Sequence, residues 1–344
     1  MRRIWEDPET EAILFIDASN AFNAMNRAAA IHNVQYTCPE LSVFVQNVYG
    51  CEAELFVANT DEPILSREGT TQGGPESMAF YAASMTPLSN KRDDELIKKM
   101  FYADDGAGGG KLDSLFSWWT SLKVRGPVFG YFPYPAKSWL LVKPEHAERA
   151  ATLFTDVNIT QVGREFLGSF IGTPEGAKAF VEEKVEEWTK DIDTLSKIAL
   201  TEPQLAYNAY VFSASRRWQF VCRTTPNIAQ HLIALESAIR ERLLPAILGR
   251  EATDNLRLTY SLPARLGGLG IQIPTEEADF EFQNSILMTG QLTEAIYQQQ
   301  SSLTIDVDEQ SKTAADLSLR KSDKHKATTE LLKNRISEAE FRML

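Results

Sequence analysis

Short apolar runs in the first half of the chain predict a sheet. Residues 11–17 (EAILFID) form a run of strand length that ends on an acid. Residues 99–103 (KMFYA) and 139–142 (WLLV) predict two more strands, and residues 162–171, with Gly168 in the middle, predict a tight hairpin. An Asp-Asp-Gly sequence follows the second run directly, and Asp-Gly between apolar stretches indicates a hairpin turn.

Helical patterns lie between these runs. Residues 77–85 (SMAFYAASM) are mostly apolar and predict a buried helix opened by Pro75. Asp113 predicts the cap of an amphipathic helix. Apolar side chains recur at helical spacing after it, at Leu115, Phe116, Trp118, Trp119 and Leu122.

The pattern changes after Gly172, where helices dominate. Three helical stretches separated by prolines follow, at residues 174–200, 203–222 and 226–248. A glycine-rich turn stands at residues 266–270 (LGGLG), and residues 276–344 are polar enough to predict a helix or a disordered tail. The order predicts an α+β fold with a ferredoxin-like sheet over residues 1–172 and a helical region over residues 173–275.

Charge and cysteine content narrow the function classes. The net charge of the 344-residue chain is -12, which counts against nucleic-acid binding because phosphates are bound by lysine and arginine. A local basic track is still possible beside an acidic metal site. No apolar run is long enough to span a membrane, so no membrane partner is expected. Cys38, Cys51 and Cys222 are far apart and odd in number, which predicts buried reduced thiols.

Three acids follow predicted strands and are candidate metal ligands. Asp17 ends the first strand, and Asp104 and Asp105 stand at the tip of the predicted hairpin. If the strands are neighbours, these carboxylates form a two-metal site, and their hard oxygen atoms suit Mg²⁺. The alternative is an ordinary Asp-Asp-Gly turn without chemistry.

The sequence around these acids resembles the reverse transcriptases of non-LTR-type retrotransposons. Residues 15–23 (FIDASNAFN) resemble the first palm motif, residues 69–75 (GTTQGGP) the second, and residues 101–106 (FYADDG) the Tyr-x-Asp-Asp box. Three later segments resemble, in order, the Gly…Lys motif, the Leu-Gly primer-grip hairpin and a segment after the thumb, at residues 130–138, 166–172 and 262–271. The resemblance therefore covers about residues 10–275 and implies a polymerase palm followed by an all-helical thumb.

The resemblance implies a role for each motif residue. Asp17, Asp104 and Asp105, with the Ala18 carbonyl, would hold two Mg²⁺ or Mn²⁺ ions. Phe22, five positions after the first acid, would exclude a ribose hydroxyl and so indicates dNTP substrates; it also fits a core position.

The remaining motif residues would bind nucleotide and primer. Gln72 and Gly73 would line the nucleotide pocket. Lys137 resembles a lysine that protonates the leaving pyrophosphate, although an exposed surface lysine is the alternative. Leu167 and Gly168 would form the primer grip.

The implied activity is RNA-directed DNA polymerase, a nucleotidyltransferase with an RNA template, a DNA primer and dNTPs as partners. Such an enzyme is intracellular and works in the nucleus or cytoplasm; the sequence makes no prediction of oligomeric state. Only sixteen residues precede Asp17, too few for the basic fingers region of this family. We therefore expect a piece of a longer polyprotein with a weakened nucleotide grip. An inactive remnant that binds nucleic acid or protein, and an unrelated α/β protein with an accidental Asp-Asp turn, are the alternatives.

Three further groups of residues have two readings each. Tryptophans at 118, 119 and 139 are expected in the core rather than as base-stacking platforms. Residues 106–110 (GAGGG) lack the Gly-Lys-Ser/Thr ending of a phosphate loop and are interpreted as a flexible hairpin arm. Five arginines fit either contacts to template–primer phosphates or a solvated helix face: Arg216, Arg217, Arg223, Arg240 and Arg242.

Overall fold

The fold is α+β and divides into two compact units. The computed structural model describes residues 1–59, 62–89 and 96–335. The first unit comprises Met1–Arg164 with Ala295–Ser302, and the second comprises Glu165–Glu294 with Leu303–Leu344. Within the described residues, every helix is too short or too polar to cross a membrane.

The strands confirm the apolar runs as elements of a sheet. In chain order they are β1 Ala12–Ile16, β2 Ala53–Leu55, β3 Ile64–Ser66, β4 Ile97–Tyr102, β5 Asp105–Gly110, β6 Trp139–Val142, β7 Asn158–Thr160, β8 Gly163–Phe166 and β9 Ser169–Gly172. Five of them form the main sheet, in the order β4-β5-β1-β6-β7. All neighbours in it are antiparallel except β6 and β7. β1 is buried at every position, as expected for the strand at the centre of a core.

Among the described residues before Arg164, the first unit has seven α-helices. They are α1 Arg2–Trp5, α2 Ala21–Ala24, α3 Arg27–Thr37, α4 Pro39–Tyr49, α5 Ser77–Ser89, α6 Leu112–Arg125 and α7 Ala147–Leu153. α6 connects β5 to β6 and buries Trp118 and Trp119 completely, which confirms the core reading for both. Trp139 is only partly buried, and the Arg164 guanidinium lies over its ring, 4.5 Å from the ring centroid.

The glycine-rich segment after the Asp pair is a buried strand, so its interpretation as a flexible arm is wrong. β5 pairs with β1 on one side and with β4 on the other. A Cβ atom on Gly108 would stand 2.5 Å from the Trp118 ring, and one on Gly109 would stand 2.4 Å from the Ile4 side chain. Glycine is therefore required here because neighbouring side chains pack directly on the backbone.

Two helix starts differ from the predicted ones. α6 begins at Leu112 after Lys111, so Asp113 lies in the first turn instead of capping it. Asp113 forms an ion pair with Arg149 there, and its negative charge in the first turn still stabilises the helix by interacting with the helix dipole. α5 begins at Ser77, two residues after Pro75. Pro75 lies in the turn directly before the helix and not in its first turn.

The predicted helical pattern of the second unit is confirmed. The later helices are α8 Pro174–Ala199, α9 Pro203–Ala209, α10 Ser215–Thr224, α11 Ile233–Ala238, α12 Leu244–Leu248, α13 Asp254–Ser261, α14 Pro274–Met288, α15 Gly290–Tyr297 and α16 Val307–Arg335. Two π-helical turns that periodicity did not predict interrupt the helical stretches, at Tyr210–Ala214 and Ile239–Leu243. Trp188 and Trp218 pack against each other in the core.

The structure also bears on the expectations for the polar C-terminal segment and for the three cysteines. The polar tail is helical over most of its length, and residues 336–344 of it lie outside the described residues. Cys222 is buried as expected, but Cys51 is exposed and Cys38 is partly exposed. Cys51 stands just after the end of α4, where the chain turns at the surface, so the expectation of three buried thiols is wrong.

Candidate functional site

The three candidate carboxylates stand at one edge of the main sheet. Ile16 at the end of β1 pairs with Gly106 of β5 in an antiparallel register, so Asp17 follows β1 at the end of β5 that begins with Asp105. Tyr102 pairs with Asp105, which leaves Ala103 and Asp104 as the two turn residues. The hairpin therefore turns two residues earlier than the Asp-Gly pair, Asp105-Gly106, suggested.

The turn between β4 and β5 holds a non-glycine residue in the left-handed region. Ala103 has φ of 54°. Two-residue hairpins favour such positive φ values because they match the twist of the strands, and they normally use glycine or asparagine. An alanine there is strained by about 1–2 kcal/mol. Such strain collects at functional sites, and here it falls directly before Asp104.

The local charge is negative and uncompensated. Burial raises the pKa of Asp105, and the charges of Asp104 and Asp17 raise it further. Tyr131 is buried behind the hairpin and donates its hydroxyl to the Asp104 carbonyl at 3.1 Å. Burial, Tyr81 and the three carboxylates raise the pKa of Tyr131 well above its ordinary value. Among the described residues, no lysine or arginine forms an ion pair with these acids.

The three acids fit a divalent ion in their chemistry. Carboxylate oxygens are the ligands that Mg²⁺ prefers, and clustered acids without a basic partner are costly unless a cation joins them. Across residues 1–59, 62–89 and 96–335, no three His, Cys, Asp or Glu side chains are grouped closely enough to hold a metal ion as they stand. Binding would therefore require side-chain rotations that bring the carboxylates together.

The segment after Asp17 is tied to a second backbone stretch. The Tyr134 amide donates to the Asp17 carbonyl at 2.7 Å, and the Ser19 amide donates to the Phe132 carbonyl at 2.9 Å. Ala18 lies between these two bonded residues. Ala18 itself forms an isolated antiparallel β-bridge with Pro133. These contacts fix the backbone directly after Asp17.

Phe22 packs against an aromatic ring of α5. Its ring stacks on Tyr81 with 4.5 Å between centroids and an interplanar angle of 22°. Tyr81 is buried and its hydroxyl has no hydrogen-bond partner among the described residues. Burial raises the pKa of Tyr81, and the Asp104 charge adds to the effect. Phe22 itself is only partly buried, so both readings of this residue, core packing and a face open to the site, agree with its place.

The Gln72 turn is joined to the Phe22 segment. The Thr70 amide donates to the Phe22 carbonyl at 2.9 Å, which brings the second motif beside the first. Gly69 has φ of 74°, and a Cβ there would stand 2.5 Å from the Phe22 carbonyl oxygen. Gln72 is exposed. Gly73 has φ of 89° with open space where a side chain would stand, so its backbone is accessible to a ligand.

A buried arginine fixes the approach to this turn. Arg27 donates to the carbonyls of Ser66, Glu68 and Gly69 at 2.8–3.1 Å. The Glu68 carboxylate accepts the Arg27 amide at 2.8 Å in return. Arg27 lies over the Tyr49 ring, 5.5 Å from its centroid. These contacts hold the chain that leads into the second motif.

Lys137 is exposed at the end of a short 3-10 turn, Pro135–Lys137. Its ammonium lies 5.5 Å from the centroid of the Tyr134 ring. Tyr134 is the residue whose amide bonds to Asp17. Lys137 therefore follows, by three residues, the residue that is hydrogen-bonded to Asp17. Among the described residues it has no direct contact with the carboxylates.

Leu167 and Gly168 belong to the second unit, where they form the two-residue turn of the β8–β9 hairpin. Their φ values are 50° and 76°, the pair of positive values typical of a type I′ turn. A Cβ on Gly168 would stand 3.0 Å from the Phe220 ring. The hairpin is thus built as the sequence predicted, with Leu167 partly exposed at its tip.

Most of the five candidate phosphate-binding arginines are neutralised. Arg223 pairs with Glu281 at 2.9 Å and Arg242 with Asp193 at 2.5 Å. Arg217 pairs with two acids of α8, and Arg240 pairs with Asp254. Arg216 differs, since it donates only to the Gln219 amide oxygen at 3.0 Å. A solvated, ion-paired helix face therefore describes four of the five.

Sequence reasoning did not single out Arg27, Tyr81 or Tyr131. Tyr131 stood in the quoted Gly…Lys motif, and the glycine before it has φ of 76° with a Cβ position only 2.0 Å from the Ala24 carbonyl. That glycine was a usable signal that the backbone packs closely here. Arg27 and Tyr81 sit in ordinary helical patterns, so their contacts depend on the fold alone.

No protein-family model matches this chain. No curated protein matches it either. The arrangement of the acids, Phe22 and the Gln72 turn is therefore the observation from which a function can be proposed.

Proposed function

We propose that this chain carries the palm and thumb of an RNA-directed DNA polymerase. The observation that carries the proposal is the meeting of the motif segments at one sheet edge. Asp17 follows β1 beside the β4–β5 hairpin that bears Asp104 and Asp105. The Phe22 segment is hydrogen-bonded to the Gln72 turn.

The connection order supports a palm for the first unit. The main sheet is built in the order strand, helices, two strands, helix, strand, which is the order of a ferredoxin-like fold. In that fold β1 lies next to β5, so an acid after one strand and acids at the hairpin of the other share an edge. The helical second unit, with the Leu167–Gly168 hairpin, is then the thumb.

The side chains have distinct tasks in this proposal. Asp17, Asp104, Asp105 and the Ala18 carbonyl would hold two Mg²⁺ or Mn²⁺ ions. Bound there, such ions would activate the primer 3′-hydroxyl and stabilise the leaving pyrophosphate. Phe22, fixed by its stack on Tyr81, would exclude a ribose 2′-hydroxyl and so select dNTPs.

Nucleotide and primer contacts complete the assignment. Gln72 and Gly73 would contact the incoming nucleotide through an open backbone, and Lys137 would supply a proton to pyrophosphate. Leu167 and Gly168 would contact the primer. The catalysed reaction is in-line attack of the primer hydroxyl on the α-phosphate, in which positioning and electrostatics do most of the work.

An inactive remnant is the second candidate, and one observation favours it. The chain has a net charge of -12, and four of the five arginines proposed for phosphate contacts are in ion pairs with acids. Weak binding of template and primer follows from that charge balance. The remnant would keep the fold and lose turnover.

Primer extension on an RNA template separates the two candidates. We expect incorporation of dNTPs with Mg²⁺ or Mn²⁺, much slower incorporation of rNTPs, and a loss of at least about 100-fold in Asp104→Asn because one metal ligand is removed. Asp113→Asn is the matched control, since Asp113 is an exposed acid paired with Arg149 outside the site. Folded protein that extends no primer, or equal activity in Asp104→Asn, would reject the polymerase proposal.

A further inference from the structure

A cavity in the second unit is lined by basic and amide side chains. Its volume is about 230 Å³. It lies where α10, the turn after α13, α14 and α16 come together. The polar side chains that line it include Arg216, Gln219, Arg223, Gln272, Lys321 and His325.

The lining has a surplus of positive charge. Arg223 is neutralised by Glu281 at 2.9 Å. Arg216 and Lys321 have no acid partner among the described residues. In a chain of net charge -12, two unpaired cations on one concave wall create a local field that attracts an anion.

Hydrogen bonds hold one of these cations in place. Arg216 donates to the Gln219 amide oxygen at 3.0 Å, and the Gln219 amide nitrogen donates to Gln272 at 3.0 Å. This chain of side chains joins α10 to the segment before α14. It reduces the rotational freedom that Arg216 would lose on binding a ligand, which favours a bound state.

His325 adds a second observation. Its Nδ1 atom is buried and has no hydrogen-bond partner among the described residues. Burial lowers the pKa of His325, and the Lys321 charge contributes to the shift. Buried polar groups in folded proteins nearly always have a hydrogen-bond partner, and a ligand in the adjoining cavity can supply one for this ring nitrogen.

We propose that this cavity binds a phosphate group. The volume is below the roughly 300–1,000 Å³ of pockets that enclose a whole drug-sized ligand, so a small oxyanion fits it better than a complete cofactor. Arginine offers planar paired donors and lysine a point charge, the combination suited to phosphate oxygens. The site lies wholly in the second unit, so it does not depend on the polymerase proposal.

Titration calorimetry of the full chain with inorganic phosphate tests the site. We expect saturable binding that weakens at least about tenfold in Lys321→Gln and in Arg216→Gln. Arg320→Gln is the matched control, because Arg320 precedes Lys321 on α16, is exposed and does not line the cavity. Circular dichroism of each variant checks that the helices remain folded.

Competition then identifies the source of the phosphate. Displacement of inorganic phosphate by a nucleoside triphosphate assigns a free nucleotide, and displacement by a short RNA–DNA duplex alone assigns a nucleic-acid backbone. Both results support the site. Absence of saturable phosphate binding would overturn the proposed site. Equal weakening in Arg320→Gln would also overturn it, because binding would then depend only on the overall charge of the surface.

Discussion

At the scale of single residues, left-handed backbone occurs at one functional candidate, Leu167, and directly before another, Asp104. Leu167 at the hairpin tip and Ala103 before Asp104 have φ values of 50° and 54°. Neither residue type prefers this region, and each is strained by about 1–2 kcal/mol. In both turns the strained residue is therefore a proposed functional residue or its immediate neighbour.

Leu167→Asn tests whether that strain is present. Asparagine tolerates the left-handed region, and Asn-Gly is the preferred type I′ turn. We expect the free energy of unfolding of the chain to increase by about 1 kcal/mol in urea denaturation. If Leu167 also contacts primer, the same variant weakens extension while its stability rises.

Leu266→Asn is the control for this prediction. Leu266 has a similar exposure, 41% against 37% for Leu167, and lies in a 3-10 turn without positive φ. It should gain no stability. A Leu167→Asn chain that is equally or less stable than the parent would show that the turn is not strained.

At the scale of elements, the β4–β5 hairpin depends on close packing. β5 is glycine at four of its six positions, and α6 packs over it with Trp118. A side chain on this strand would push the helix off the sheet. The glycines of β5 thus allow α6 to pack directly on the hairpin that carries Asp104 and Asp105, and this packing fixes the position of the hairpin.

Gly108→Ala should therefore destabilise the chain. The new methyl group would stand 2.5 Å from the Trp118 ring, which is buried and cannot move aside freely. We expect a loss of about 1–3 kcal/mol, the usual effect of overpacking a core. Thermal unfolding measures it. Gly290→Ala is the control, because open space surrounds Gly290; an equal effect in both variants would contradict the packing argument.

At the scale of the whole molecule, contacts far apart in sequence close the first unit. Asp7 accepts hydrogen bonds from Lys98 at 2.6 Å and from Tyr297 at 2.7 Å. Lys98 and Arg3 both lie over the Tyr297 ring, at 3.6 and 4.0 Å from its centroid. These bonds join residues 295–302 to the sheet. The pKa of Asp7 lies well below its ordinary value, and the hydrogen bond from Lys98 is the largest cause of this shift.

Asp7→Asn gives a pH-dependent prediction. Because the folded state lowers the pKa of Asp7, this carboxylate stabilises the chain above its unfolded value of 3.8, and the contribution is lost as the pH falls toward the lower folded value. We expect Asp7→Asn to be about 1 kcal/mol less stable at pH 7, with screening by solvent keeping the effect modest.

Urea denaturation from pH 7 to pH 3 measures this contribution. The difference between the parent and Asp7→Asn should shrink below about pH 4. Asp316→Asn, a change at an exposed acid of α16, should show little difference at any pH. A constant difference for Asp7→Asn across the pH range would mean that the charge of Asp7 does not contribute to the stability of the chain.

Sequence patterns by themselves predicted four strand segments, α5, α6, the helical stretches of residues 174–248 and the motif residues, but not β2, β3, β7 or α1–α4. Apolar runs of strand length and helical periodicity depend on local spacing, so β1, β6, the β8–β9 hairpin and the long helices could be predicted. The three acids were found because acids after strands are visible in the chain itself.

Tertiary structure alone decided what lies beside these residues. The burial of the glycine-rich strand follows from pairing with two other strands, which no local pattern reveals. The stack of Phe22 on Tyr81, the Arg27 contacts and the ion pairs of the second-unit arginines join residues distant in sequence. Periodicity reports which face of an element is apolar, whereas partners across the chain depend on how the elements pack.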